Sequence, residues 1–177
     1  MIDLIQIRQR VLDAFANVEK PDFSSITILG CCERHERDFD WYRRHTWQEF
    51  EIASESRGFD SADFAAIHPL AFHYFTPGVL CAAIKHLVTD AEKYWDYVPW
   101  ILHFIIAPYR LDKFKKEYLP LYSSEQRQAI AEALEWYRQW YLAQHGYDYD
   151  EPDDEPDDEE ASGKISETIA LVWQSET

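Results

Sequence analysis

The stretch SSEQRQAIAEALEWYRQWYLAQHG, residues 123–146, constrains the fold more than any other part of the chain. Ser123 and Gln126 stand at capping-box spacing, where a serine hydroxyl serves an orphan amide of the first turn and a glutamine reaches back to another. Ile130, Ala133, Leu134, Tyr137 and Tyr141 then fall on one helical face, and Gly146 stands where a helix stops. This is the clearest helix in the sequence, and most of the remaining chain repeats its spacing.

Leu4, Ile7, Val11, Ala14 or Phe15, and Val18 recur every three to four residues, with Pro21 after them. From Glu33 to Arg44 the pattern is a charged helix with pairs four apart: Glu33 with Arg37, Arg34 with Asp38, Asp40 with Arg44. Thr46 and Glu49 form another capping-box pattern, which predicts a helix over Trp47–Arg57 stopped by Gly58. Short helices are expected from Asp60 or Ser61 to Ile67 and from Asp90 to Tyr97. Pro69 suits a first turn, and Thr76-Pro77 repeats that signal, so a proline bend with a new helix from Pro77 to about Val88 is expected. The run at 99–108, PWILHFIIAP, fits either a buried strand or a helix begun at Pro99; its helical surroundings favour the helix. Leu111, Phe114 and Tyr118 continue the stripe. SSITIL, at 24–29, reads as a short extended piece. Five glycines in 177 residues argue against a β-fold built on many tight turns.

The chain carries a net charge of −16, and ten of its acids lie in YDYDEPDDEPDDEE, residues 147–160. Without them the rest stands at −6, so the folded part is mildly acidic. No Lys/Arg-rich run is present, and binding to nucleic acid or to an anionic membrane needs one. The acidic run, broken by Pro152 and Pro156, lacks the apolar surface to fold alone. The expected organisation is therefore a helical domain over 1–146, a disordered acidic linker over 147–163, and a C-terminal helix over 164–177 docked through Ile165, Ile169, Val172 and Trp173. The fold class is all-α: seven or eight helices with proline bends around one aromatic-rich core. The length suits one domain.

Three cysteines, an odd number, read as reduced thiols in a cytoplasmic protein. The N-terminus has charges inside its apolar pattern and is not read as a signal peptide. No apolar stretch approaches the ~18 residues of a transmembrane helix.

Candidate chemistry is sparse. Cys32 and His35 are three apart, half of a metal-site pattern, and His68, His73 and Cys81 would have to complete it through the fold; zinc is the metal such ligands would take. The competing reading puts the aromatics of HPLAFHYFTPGVL in the core. Glu36 and Asp40 stand four apart but have arginines beside them, and nothing marks a pocket that would shift their pKa values. There is no Gly-rich phosphate loop and no Gly-x-Ser-x-Gly elbow. In EWYRQWY, either the helix is buried around most of its circumference, or Trp136, Arg138 and Trp140 form an exposed patch with the composition of an interface hot spot.

The order IRQRVLDAF, TWQEF, HPLAFHYFTPGVL, SSEQRQAIAEALEWY and ALVW resembles a family of small bacterial proteins catalogued only as a domain of unknown function. The likeness covers most of the chain outside the acidic run, which departs from the family's pattern. It implies a helical fold and lends no activity. The sequence thus points to a non-enzymatic, soluble, cytoplasmic binding protein, adaptor-like or immunity-like, with a basic protein as its partner and no cofactor. The rival is a metal-binding domain or metal-dependent enzyme built on the Cys/His cluster.

Overall fold

The computed structural model describes residues 4–23, 41–50, 68–89, 102, 105, 111–145 and 165–174. Of these residues 84% are helical and none lies in a strand, which is the all-α class. Six helices stand among them, rather than seven or eight, at 4–14, 41–44, 69–89, 111–117, 124–145 and 165–173. Single 3-10 turns at Trp47–Glu49 and Leu119–Leu121 join them. The helices expected at 61–67 and 90–97, the extended piece at 24–29 and the acidic run lie outside the described residues. No described helix is long and apolar enough to cross a membrane.

Helix α1 (Leu4–Ala14) follows its stripe: Ile7, Val11 and Phe15 are buried, and Leu4, Ala14 and Val18 pack half-buried beside them. Helix α2 (Pro69–Thr89) is the centre of the molecule and is buried on nearly every side from Ala71 to Ile84. Here the sequence reading needs correction. Pro77 does not end one helix and begin another; it lies inside a single 21-residue helix. Proline removes one backbone donor and crowds the preceding turn, at a cost of about 3 kcal/mol. Burying Phe72, Phe75, Val79 and Leu80 recovers roughly 1.5–3 kcal/mol for each side chain, so packing outweighs the interruption. In the turn just before the proline, the Thr76 hydroxyl donates to the Phe72 carbonyl at 2.8 Å.

Gly78 explains how closely α2 is approached. A Cβ built there would lie 2.4 Å from the Trp47 carbonyl oxygen and 2.8 Å from Phe50 Cβ. The segment Trp47–Phe50 therefore rests directly on the backbone of α2. The Glu49 carboxylate reaches back to the Thr46 N–H (2.6 Å) and hydroxyl (3.1 Å), as the capping pattern required. The described part of this segment is a 3-10 turn followed by helical Phe50, and 51–57 lies outside the described residues. In the ambiguous run at 99–108, Leu102 and Ile105 are helical and buried.

Helix α3 (Leu111–Glu117) leads through Leu119–Leu121 into α4 (Ser124–His145). The α4 cap is a complete box: Gln126 N–H donates to Ser123 Oγ at 3.2 Å, and Ser123 N–H donates to Gln126 Oε1 at 3.0 Å. Arg10 pairs with Glu132, while Phe15 packs against Tyr122 at 6.2 Å, so α1 and α4 run antiparallel. The last helix begins as α-helix at 165 and becomes a π-helix over Ile169–Trp173. Its Trp173 is 2% exposed and donates its indole N–H to the Ile105 carbonyl at 3.2 Å.

Candidate functional site

Two of the buried polar side chains, Thr76 and Gln126, stand where the first half of α2 meets the start of α4. Gln126 Oε1 is already oriented by the Ser123 amide, and His73 Nε2 lies 3.0 Å from the same oxygen. A carbonyl oxygen only accepts, so Nε2 carries the proton and Nδ1 keeps its lone pair when the ring is neutral. The imidazole sits edge-on to Tyr122 with centroids 4.6 Å apart, and Phe15 lies 5.8 Å away. Burial among these rings pushes the His73 pKa down, and the bond to Gln126 opposes that shift.

Beside it, Thr76 and Tyr122 share a hydrogen bond of 2.7 Å. The Thr76 proton is committed to the Phe72 carbonyl, so the Tyr122 hydroxyl is the donor to Thr76 Oγ1. Burial raises the Tyr122 pKa far above that of a free phenol. The phenol is therefore a fixed neutral donor. Its ring continues an aromatic layer through Trp173 (5.3 Å), Phe114 (5.6 Å from Trp173) and Tyr118, stacked on Phe114 at 5.2 Å.

Of the five metal-capable residues named from sequence, the three that are described, His68, His73 and Cys81, stand at separate places along α2. His68 caps α2: its carbonyl accepts the Ala71 and Phe72 amides, and its Nδ1 accepts the Leu70 amide at 3.3 Å. His73 faces Gln126. Cys81 is buried eight residues further along α2, about 12 Å in axial rise. Cys32 and His35 lie outside the described residues. No three His, Cys, Asp or Glu side chains are grouped to hold a metal among the described residues. The Glu36–Asp40 pair also falls outside them.

The interface residues named from sequence divide. Trp136 is 8% exposed and belongs to the core, so the three-residue exposed patch is corrected: α4 is buried around most of its circumference there. Arg138 is held by Glu135 through two bonds, Nε to Oε2 at 2.8 Å and Nη2 to Oε1 at 2.6 Å. That bonding lowers the Glu135 pKa and raises that of Arg138. Trp140 is half-buried and stacks on Tyr137 at 6.1 Å.

Sequence reasoning missed Gln126, Tyr122 and Thr76 as partners of His73, and missed the burial of His86. Gln126 carried one signal, its position in the capping box. Surface clefts also lie among the described residues. One of about 510 Å³ is lined by Lys20, Pro21, Asp22, Phe23 and Arg43. Another, about 380 Å³, lies between α1 and α4 around Arg10, Asp13, Glu125 and Glu132.

The fold and these contacts define an all-α protein with an aromatic core and a His–Gln–Ser junction between its two longest helices. The chain matches no known family, no curated protein and no solved structure.

Proposed function

We propose that this chain is a non-enzymatic protein-binding module, adaptor-like or immunity-like, acting in the cytoplasm on a basic protein partner. The observation that carries the reading is the concentration of ten acids within residues 147–160 of a chain at −16. Such a charge run accelerates encounter with a basic surface and repels acidic ones. The interior supports the same reading, because His73, Gln126, Thr76 and Tyr122 spend hydrogen bonds on one another and on the backbone. The resemblance to the bacterial family of unknown function adds the helical architecture and nothing about a partner.

The test is cross-linking in host lysate at low salt, comparing the full chain with a form whose acids over 148–160 are changed to Asn and Gln. Basic proteins captured by the first and lost from the second support the reading. Capture that is indifferent to the change sinks it.

A metal-binding reading is favoured by one detail. His73 donates Nε2–H to a carbonyl oxygen, the arrangement that orients a metal-bound histidine and leaves Nδ1 to ligate. Cys32 and His35 would have to supply further ligands to zinc. Elemental analysis of untagged protein decides it: stoichiometric zinc supports this reading, and its absence removes it.

A further inference from the structure

The last helix sits on the rest of the chain as a peptide sits in a groove. Ile165, Ile169, Val172 and Trp173 are buried, while Ser166, Glu167, Ala170 and Leu171 between them are exposed. Anchors at i, i+4, i+7 and i+8 are the pattern by which an amphipathic helix lies in an apolar groove. Residues 165–173 are too few to hold a helix in water alone, so this segment owes its helix to the surface that it covers.

That surface has contacts of its own. Trp173 lies edge-on to Tyr122 and Phe114, and the helix packs along α4. The Tyr122 hydroxyl is bonded to Thr76, and its ring meets His73 at 4.6 Å. Phe114 stacks on Tyr118 and meets Phe72 at 5.9 Å. The aromatic floor is thus fixed from α2 and α3, and a floor ordered in advance spares part of the cost of binding. The Ile105 carbonyl accepts the indole N–H, a bond that a phenylalanine in the same place could not make.

The covalent path to this groove is long. Residues 146–164 separate the end of α4 from the start of the last helix. A tether of that length supplies an effective concentration on the order of 1 mM. Its reach of up to about 65 Å does not force the helix onto its own chain. Two chains at −16 repel each other, and salt screens that repulsion.

We propose that the groove lined by Ile105, Phe114, Tyr122 and α4 takes the 165–173 helix of a second copy in place of its own, so that two chains pair by exchanging their C-terminal helices. This pairing is independent of the basic-partner reading.

The test mixes two full-length variants. Trp173→Ala weakens the helix and leaves the groove, and Phe114→Ala damages the groove and leaves the helix. At about 0.1 mM each, in about 0.3 M salt, the mixture should sediment as a 1:1 dimer and melt above either variant alone, while each variant alone stays monomeric. If either variant is unfolded, Trp173→Phe and Phe114→Leu replace the pair. A synthetic peptide of residues 164–177 is the second probe. It should raise the melting temperature of the Trp173→Ala chain, and the same peptide with alanine for its tryptophan should not. A mixture that stays monomeric while the peptide acts overturns exchange between copies. Failure of both probes overturns the groove as well, and a dimer formed equally by each variant alone overturns the proposal because it does not use this helix.

Discussion

His73 Nε2 and Gln126 Oε1, 53 residues apart in sequence, meet at 3.0 Å and join the central helix to the cap of α4. The same oxygen also accepts the Ser123 amide, which orients it independently of the histidine. One glutamine side chain thus completes a helix cap and fixes an imidazole tautomer. The ring lies toward the N-terminal end of α4, where a positive charge is disfavoured by the helix dipole.

That junction makes stability depend on pH. Burial holds the folded-state pKa of His73 below the ordinary value of 6.5. Its contribution is complete above that value. It is lost as pH falls from 6.5 toward the folded-state pKa, because the unfolded chain takes up the proton first. Wild-type melting temperature should therefore fall on acidification through this window, and His73→Gln should flatten that part of the profile. Parallel profiles for the two proteins count against the assignment.

Gly78→Ala should destabilise the protein although alanine is the better helix former. The added methyl meets a backbone oxygen at 2.4 Å, which cannot swing away as a side-chain tip would. Overpacking of this kind costs about 1–3 kcal/mol, against a gain in helix propensity of about 1 kcal/mol. Urea denaturation should show a net loss; a gain would mean that the 47–50 segment does not rest on α2.

The Thr76–Tyr122 bond should appear as coupling in a double-mutant cycle. Thr76→Val strands the buried Tyr122 hydroxyl without its acceptor and should cost about 1–3 kcal/mol, while Tyr122→Phe should cost about 1 kcal/mol. The double variant should lose less than the sum. Strict additivity would place no bond between them.

Trp173→Ala removes a buried indole packed on Phe114 and Tyr122 and bonded to the Ile105 carbonyl. A loss of about 3–5 kcal/mol is expected, with faster amide exchange over 165–173. Trp173→Phe should retain part of the packing and lose the hydrogen bond. Unchanged exchange in the alanine variant would show that this helix is held by other contacts.

The residues that the sequence made legible are those whose spacing has a local cause. The stripe of Ile7, Val11 and Phe15 and the cap of α4 follow from helical periodicity and from the orphan amides of a first turn, and both stand in the structure. Spacing three or four along a helix names near neighbours only. It gave no means of pairing His73 with Gln126, or Tyr122 with Thr76, because those contacts join different elements.

Sequence by itself determined the all-α class, the helix cap at Ser123 and the separation of most of the negative charge from the apolar pattern. Tertiary structure decided that α2 runs through Pro77, that Trp136 is core while Trp140 keeps part of its ring at the surface, and that His73 faces an amide oxygen. The physical reason is the same in each case. Local preferences here amount to at most about 3 kcal/mol, and burial of several large side chains around one helix exceeds that.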